Sequence, residues 1–319
     1  MRWCAPFVGA AMLLANQTQA DSFRLGFPLD CTIGETCFVE DYVDHDPAKG
    51  KQTDFACGLN SRDGHKGTDF ALLSFDEITK GVAVLAAADG VVFRTRDEMP
   101  DDRLMRGVTS QNACGNAVIV THADGWRTQY CHLKLGSITV QPGENVEQGQ
   151  VLGFVGLSGQ TNHPHLHFSL FQGKALVDPF QTGPLGQCEA SDTSLWQEPI
   201  PYTKTGIMTA GFSDHIPDLK EVRSGGAFRE TSASTQPLVV YMHAAYAQHG
   251  DLLTLSASGP EGEIFEREIV LKSPQASHLR AFGRKAPPGG WPKGEYLGEA
   301  LLTRKGKVIA HRFVHVTVN

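Results

Sequence analysis

Short apolar runs, separated by glycine-containing turns, make up most of the first 180 residues. Residues 82–93 (VAVLAAADGVVF) predict two short strands around an Asp-Gly turn, and residues 116–133 (NAVIVTHADGWRTQYCHL) predict a hairpin around another. Residues 140–156 predict further short strands with a glycine at each bend, and residues 95–113 predict a long surface loop. Helical periodicity over ten residues is almost absent. The pattern therefore predicts a β-rich domain.

The last 120 residues or so show a cleaner alternation of apolar and polar positions. Residues 253–259 (LTLSASG) place two leucines and an alanine on one face of a strand, and Val314, Val316 and Val318 repeat this period of two. A turn at residues 305–306 separates the last two predicted strands. Several strands of this length predict an antiparallel β-sandwich of the immunoglobulin-like kind.

The N-terminus predicts export. In residues 1–20 a single arginine precedes an apolar run that ends in small residues, which is typical of a signal peptide cleaved after Ala20. The run is too short to span a bilayer, and no later stretch is long enough. We expect a periplasmic or secreted protein with a β-rich domain over residues 21–190, a linker over 191–201 and the sandwich over 202–319.

Charge and cysteine content narrow the class of protein. The formal net charge of −7 argues against a nucleic-acid partner, which requires a concentrated basic surface. Six of the seven cysteines follow the predicted signal and all lie before residue 190, so up to three disulfides are expected in the first domain. No CxxC spacing occurs, which disfavours a zinc site built from cysteines.

Fifteen pairings of six cysteines are possible. Cys114 and Cys131 flank the arms of one predicted hairpin, where antiparallel strands bring Cα atoms to about 6 Å. The simplest remaining pairs are Cys31 with Cys37 and Cys57 with Cys188.

Candidate chemistry begins at residues 161–170 (TNHPHLHFSL), where three of the chain's 13 histidines alternate. A strand sends alternate side chains to one face, so His165 and His167 point the same way, whereas Pro164 makes His163 a weaker member. His65 and Asp69, in GHKGTDF, supply an imidazole and a carboxylate four positions apart. Three such ligands and an open position make a catalytic zinc site. One histidine of the HxH pair is then not needed as a ligand and could act beside the metal. His132, in YCHL, is a second candidate for such a non-ligand histidine.

These motifs resemble those of the lysostaphin-like (LytM-type) zinc endopeptidases, which have the duplicated hybrid motif fold and cleave peptidoglycan peptides. The family pattern HxGxDxx, YxHL and PHLHFE appears as HKGTDFA, YCHL and PHLHFS within residues 58–180. The resemblance implies Zn²⁺ ligands at His65, Asp69 and His167 and non-ligand catalytic histidines at His132 and His165. His163 and Ser169 replace the family's usual glycine and acidic residue, and we expect both at the rim of the cleft.

The resemblance also implies a zinc-dependent endopeptidase whose partners are peptidoglycan peptides. Hydroxide attack on the scissile carbonyl produces an oxyanion that zinc shares with one of the two non-ligand histidines, and either can pass a proton to the leaving amine. The sequence leaves open the bond that is cleaved. The C-terminal domain carries no catalytic pattern; it is predicted to be dispensable for chemistry, and it could bind a protein partner.

Three alternatives were weighed against this interpretation. A biotinyl or lipoyl carrier is disfavoured, because the segment between its half-motifs has no exposed lysine motif. A zinc carboxypeptidase of the related class is disfavoured, because it uses a longer spacing between histidine and aspartate than the three residues that separate His65 from Asp69. A non-catalytic cell-wall-binding or regulatory member of the fold typically loses ligands, whereas this chain keeps all five positions.

The other histidines are predicted to be structural or solvated. His122, at the turn end of a predicted strand, is expected to be structural, and His45, in a polar loop, is not expected to bind metal. The remaining histidines, such as His243 and His311, are predicted to be solvated.

Overall fold

The computed structural model describes residue 1 and residues 23–73, 75–188 and 193–319. The predicted signal segment, apart from Met1, lies outside these described residues, as do residues 191 and 192 of the predicted linker. No helix in the described ranges is long and apolar enough to cross a membrane.

Ten strands and very little helix form the first half, as the apolar pattern predicted. They are β1 (Cys37–Asp41), β2 (Thr68–Leu72), β3 (Ala83–Leu85), β4 (Gly90–Arg96), β5 (Asn116–Thr121), β6 (Trp126–Leu133), β7 (Asn145–Val146), β8 (Val151–Phe154), β9 (His165–Gln172) and β10 (Ala175–Val177), with one short helix α1 (Asp76–Lys80). An antiparallel sheet has the order β1-β2-β9-β6-β5-β4-β7, with β10 also paired to β9, while β3 and β8 form a separate pair. The central strand β2 is buried at every residue and its neighbour β9 at most of its residues, so the site residues on these strands lie largely inside the fold.

Only one of the two Asp-Gly turns joins a hairpin. Strands β5 and β6 pair around a short turn at Ala123–Gly125, as predicted, and residues 97–115 form the predicted loop. Strands β3 and β4, in contrast, pair with β8 and with β5 and β7, not with each other. The connection between them is buried in the core, where the backbone N–H of Ala87 donates to the hydroxyl of Tyr130 at 2.8 Å. This burial prevents a tight turn.

The second half is a two-sheet structure. Its elements are β11 (Gly206–Ser213), α2 (Leu219–Arg223), β12 (Thr231–Ser232), β13 (Leu238–Ala247), β14 (Leu252–Gly259), β15 (Gly262–Val270), β16 (Gln275–Arg284), β17 (Gly294–Arg304) and β18 (Lys307–Val318). One sheet has the order β11-β13-β16 and the other β12-β18-β17-β14-β15. The two sheets share one apolar core, to which Phe212 and Met242 contribute from one sheet and Leu255 and Val316 from the other. Two sheets that share one apolar core have the layout expected of a β-sandwich, and the immunoglobulin-like assignment stays a prediction.

Two hydrophobic cores meet near residues 202–207. The first includes Leu25 and Trp196 and has Tyr202 at its edge, whereas the second begins at Ile207. Trp196 is 3% exposed and packs edge-on against Phe70 at 6.0 Å between ring centroids. Much of the predicted linker is therefore part of the first core, because a large aromatic residue in it closes that core.

Three disulfides tie the first half together. The pairs are Cys31–Cys37, Cys57–Cys188 and Cys114–Cys131, with Cα–Cα distances of 6.0, 5.0 and 4.9 Å. This pairing confirms all three predicted disulfides.

Strand β18 brings the two halves into contact. Phe313 packs against Phe75, with ring centroids 5.1 Å apart. Nε2 of His315 donates to the carbonyl oxygen of Asn162 at 3.0 Å, while its Nδ1 accepts from Arg103 at 3.2 Å. The sandwich thus lies against loops that surround the centre of the first half.

His243 and His311 are buried, so the prediction that they are solvated is wrong for these two, whereas His215 and His249 are exposed as predicted. His243 is 1% exposed and its Nε2 contacts the hydroxyl of Ser277 at 2.7 Å. His311 is 4% exposed and packs against the rings of Phe38 and Phe313. His243 contacts the neighbouring strand of its own sheet, and His311 contacts Phe38 of the first half; alternation along one strand reveals neither contact.

Candidate metal centre

Three neighbouring strands bring the predicted site residues together. Asp69 of β2 lies opposite His167 of β9, and His167 lies opposite Cys131 of β6 in the antiparallel registers. His65 lies just before β2, and His132 follows Cys131 within β6. The sheet order therefore places residues from three distant parts of the chain side by side.

His65, Asp69 and His167 form one compact group of possible ligand atoms. His65 Nε2 lies 3.1 Å from Asp69 Oδ2 and 3.1 Å from His167 Nδ1. His167 Nδ1 lies 2.7 Å from Asp69 Oδ1. Among the described residues, this is the group of histidine, cysteine and acidic side chains that could hold a metal ion.

The donor set fits zinc. Tetrahedral Zn²⁺ with bonds of about 2.0–2.2 Å separates its ligand atoms by roughly 3.3 Å, close to the distances observed here. Two imidazoles and one carboxylate leave a fourth position open, which is the composition of catalytic rather than structural zinc sites.

Hydrogen bonds outside the group fix the tautomers of its two histidines. Nδ1 of His65 donates to the carbonyl oxygen of Tyr42 at 2.8 Å, which leaves Nε2 with its lone pair facing the group. The hydroxyl of Ser169 donates to the carbonyl oxygen of Lys66 at 2.7 Å. It therefore accepts from His167 Nε2 at 3.0 Å, and Nδ1 of His167 is left without a proton. Such outer partners orient metal-binding histidines.

Asp69 is fully buried between cations. Burial opposes its negative charge, but Arg62 and the nearby histidines outweigh this and hold the pKa of Asp69 well below its usual range. Nη2 of Arg62 lies 2.6 Å from Asp69 Oδ2. Burial lowers the pKa of His167, whereas the carboxylate of Asp69 overcomes burial at His65 and raises its pKa. The group is thus a carboxylate with imidazoles from which a metal can displace protons.

His132 and His165 lie beside the group as predicted. Their ring centroids are 4.7 Å apart, and that of His132 is 6.0 Å from that of His167. Nδ1 of His132 donates to the carbonyl oxygen of Ser158 at 2.8 Å, and burial holds its pKa well below the usual range. His132 has a φ of 65°, in the left-handed region, at the end of its strand.

His165 has one satisfied and one unsatisfied nitrogen. Nδ1 lies 3.0 Å from Thr161 Oγ1 and 3.1 Å from the carbonyl oxygen of His163, which can only accept, so the proton is on Nδ1. Nε2 is buried without a hydrogen-bond partner and lies 3.7 Å from Asp69 Oδ1. Burial lowers the pKa of His165 to about 4. A neutral imidazole with a free lone pair is therefore directed toward the group.

Gly67 provides space rather than a bend. A Cβ atom there would lie 2.6 Å from the carbonyl oxygen of Phe168 and 2.7 Å from the ring of His167. A side chain at position 67 would displace the histidine that completes the group.

Both residues expected at the cleft rim are buried instead. Ser169 is 4% exposed and contacts His167, so it belongs to the metal centre. His163 is 8% exposed, stacks on His165 with ring centroids 4.8 Å apart, and forms an ion pair with Glu40. The rim prediction fails because Ser169 lies on the central strand β9, which has neighbours on both sides, while His163, just before β9, lies beside Phe313 of the sandwich.

His122, predicted to be structural, and His45, not expected to bind metal, both have protein partners. His122 contacts the carbonyl oxygen of Asp89 and the hydroxyl of Thr128 at 2.7 and 2.8 Å, which confirms its structural assignment. His45 pairs with the buried Asp178 at 2.9 Å and lies outside the candidate metal group.

Sequence reasoning missed the polar residues that support the centre. Arg62 could have been considered from its position three residues before His65, and Ser169 from its position on the same strand face as His167. The carbonyl groups of Tyr42 and Ser158 carry no sequence signal at all.

Comparison with known proteins identifies the class of this half. Residues 63–179 match the model of Peptidase family M23. The cell division protein DipM of Caulobacter vibrioides is 38% identical over 99 residues, which are 31% of this chain and 14% of that protein. The peptidoglycan DD-endopeptidase ShyA of Vibrio cholerae is 34% identical over 106 residues, which are 33% of this chain and 20% of that protein.

Solved structures show weaker likeness. A zinc containing peptidase from Vibrio cholerae is 25% identical, with a TM-score of 0.28 over 44% of this chain and 39% of that one. The catalytic domain of lysostaphin from Staphylococcus simulans is 22% identical, with a TM-score of 0.28 over 49% of this chain and 89% of that one.

The match of residues 63–179 to peptidase family M23 confirms the resemblance predicted from the motifs. The metal of this family is zinc. The matches cover one fifth or less of the length of the two sequence relatives described above.

Proposed function

We propose that this protein is a zinc-dependent endopeptidase that hydrolyses peptide bonds in peptidoglycan cross-links. The observation that carries the proposal is the close grouping of two imidazole nitrogens and one carboxylate oxygen beside two buried histidines that lie outside this group. A metal-binding protein without catalysis has no need of the second pair.

In this proposal His65, Asp69 and His167 hold the ion. Zn²⁺ bound there supplies Lewis-acid chemistry, which lowers the pKa of water and polarises a carbonyl. His165 Nε2, a buried lone pair without a partner, can accept a proton from the attacking water. His132 donates its Nδ1 proton to the carbonyl oxygen of Ser158 and keeps its other nitrogen available, so it could receive the proton that His165 takes from the water and pass it to the leaving amine. Burial lowers the pKa of both imidazoles, which favours the neutral form that a base requires.

The substrate class follows from the relatives. ShyA is named a peptidoglycan DD-endopeptidase, and Mpg of Neisseria meningitidis, 37% identical over 105 residues, is named a DD-carboxypeptidase/endopeptidase. We therefore propose that the bond cleaved is a peptide bond of the D,D type in a cross-link. Three disulfides support a location outside the reducing cytoplasm, so we propose export to the periplasm or cell exterior by the N-terminal signal.

We also propose two domains, with a peptidase domain that extends to about residue 202 and a sandwich that begins near residue 206. The separate apolar cores support this division. The sandwich could bind a protein partner through surfaces other than the face of β18 that lies on the first half.

Digestion of purified sacculi tests the function. Zinc-loaded protein should release uncross-linked muropeptides, identified by chromatography and mass spectrometry, and His65→Ala should release none. His249→Ala, which alters an exposed histidine of the sandwich, is the matched control and should act as the wild type does. Zinc-loaded protein that binds sacculi and leaves every cross-link intact would instead favour the non-catalytic cell-wall-binding role.

A further inference from the structure

Arg312 of β18 extends from the sandwich to two buried acidic residues at the end of β1. Its Nη1 forms an ion pair with Glu40 Oε1, and its Nη2 lies 2.9 Å from Asp41 Oδ1. The side chains of Glu40 and Asp41 are 3% and 4% exposed. Adjacent buried carboxylates repel each other, so the guanidinium that bridges them compensates both charges.

One path leads from this bridge to the metal ligands. The second oxygen of Asp41 accepts from Arg62 Nη1 at 2.7 Å, and Arg62 Nη2 contacts Asp69 Oδ2 at 2.6 Å. Asp41 is therefore held between two guanidinium groups, one from each half of the molecule. Its position determines where Arg62 lies, and Arg62 contacts the oxygen of Asp69 that also faces His65.

A second path leads to the non-ligand histidine. The other oxygen of Glu40 forms an ion pair with His163 Nε2. The ring of His163 stacks on that of His165, at an interplanar angle of 27°, and its backbone carbonyl lies 3.1 Å from His165 Nδ1. The guanidinium of Arg312 is thus connected both to a candidate metal ligand, Asp69, and to a non-ligand histidine, His165.

We propose that Arg312 is a positioning residue for the peptidase centre, acting through Asp41 and Arg62 on Asp69 and through Glu40 and His163 on His165. The proposal rests on the proposed function of the first half. It makes the sandwich a working part of the enzyme, which differs from the expectation that the C-terminal domain is dispensable for chemistry. Without the guanidinium of Arg312, Asp41 keeps only Arg62 and Glu40 keeps only His163 as a cationic partner, so each carboxylate draws its remaining partner away from the site.

The rival explanation is that Arg312 only attaches the sandwich to the first half. Arg304 offers a matched control, because it is similarly buried and pairs with the buried Asp251 at 2.7 Å within the sandwich. Arg304→Met should therefore reduce stability without reaching the metal centre. Arg312→Lys keeps a charge but cannot bridge two carboxylates in the same planar geometry.

The test measures zinc affinity, kcat, KM and imidazole NMR signals in full-length Arg312→Met, Arg312→Lys and Arg304→Met. We expect Arg312→Met to weaken zinc binding and lower kcat by about 10- to 100-fold, the usual effect of supporting residues around a metal. KM should change little, and the ring signals of His163 and His165 should shift in the metal-free protein. Arg312→Lys should lie between this variant and the wild type.

Equal zinc affinity and unchanged ring signals in Arg312→Met, or the same changes in Arg304→Met, would overturn the proposal. If Arg312→Met does not fold, the comparison of Arg312→Lys with Arg304→Met decides in the same way. A wild-type protein that lacks peptidase activity would refute the proposed function, whereas the ring signals of the metal-free variants would still decide whether Arg312 positions these histidines.

Discussion

Ser169→Ala removes the hydroxyl that accepts a hydrogen bond from His167 Nε2 and donates one to the carbonyl oxygen of Lys66. Without this acceptor, the proton of His167 is free to move to Nδ1. There it faces Asp69 Oδ1 at 2.7 Å, a favourable charge-assisted contact. The metal-free variant is therefore stabilised in a tautomer that has no lone pair for zinc.

The magnitude follows from this change of tautomer. A buried donor left without an acceptor costs about 1–3 kcal/mol, and zinc binding must restore that state. Since each tenfold change corresponds to about 1.4 kcal/mol, zinc affinity should fall by about 10- to 100-fold, in line with the usual effect of residues that support metal ligands. Activity at saturating zinc should fall much less, because the ligands themselves remain.

Competition with a chromophoric chelator measures the zinc affinity, and chemical denaturation measures the stability. Ser169→Thr keeps the hydroxyl and should bind zinc nearly as the wild type does. Thr128→Val is the matched control, because it removes a hydroxyl that lies 2.8 Å from Nε2 of His122, outside the metal group. It should lower stability and leave zinc affinity unchanged. Wild-type zinc affinity in Ser169→Ala would refute the argument that this hydroxyl sets the tautomer.

Three further predictions follow from the same structure. His167→Ala should lose zinc and activity together, whereas His165→Ala and His132→Ala should keep about one zinc per chain and lose roughly two to four orders of magnitude in turnover, as measured by atomic absorption and by cleavage of a cross-linked peptide with a D,D bond. If His165→Ala lost the zinc and His167→Ala kept it, the roles assigned to these two histidines would have to be exchanged. Burial, followed by a nearby guanidinium, lowers the pKa of His315 to about 4, so between pH 6.5 and 4 the unfolded chain binds more protons than the folded one, and the free energy of unfolding should fall with falling pH by about 3 kcal/mol at most. In urea titrations, His315→Gln should show a weaker dependence of this free energy on pH than the wild type, and an equal dependence in both would contradict the prediction. A peptidase fragment that ends at residue 190 lacks Trp196, and its free energy of unfolding should be about 3–5 kcal/mol lower than that of a fragment that ends at residue 203. Equal midpoints of the two fragments in chemical denaturation would show that this tryptophan does not close the core.

The apolar period predicted most strands because each strand has one dominant environment. Leu253 and Leu255 are fully buried, as their alternation required. The same reasoning failed where a contact comes from a distant part of the chain. Trp196 lies in a segment whose composition is typical of a linker, and only the fold shows that three aromatic residues of the first core surround it.

The site was predictable to the extent that one strand face defines it. The HxH pattern put His165 and His167 on the same side of β9, and the register with β2 brings Asp69 opposite. Their different hydrogen-bond partners were not predictable, because Thr161 and Ser169 look like ordinary small polar residues in the sequence. The contribution of Arg312 could not be predicted either, since its partners lie 271 positions or more away in the chain.

The protonation of the centre depends mainly on the backbone. Each of the four histidines places its proton toward an acceptor outside the group, and those acceptors are Tyr42 O, Ser158 O, His163 O and Ser169 Oγ. Three of them are carbonyl oxygens, which persist through almost any substitution as long as the fold holds. The hydroxyl of Ser169 is a side-chain group that one substitution removes without a change of backbone. A single substitution at position 169 can therefore change the tautomer of a ligand while the backbone around it stays the same. For this reason the zinc affinity of Ser169→Ala tests the reasoning more directly than the removal of any histidine.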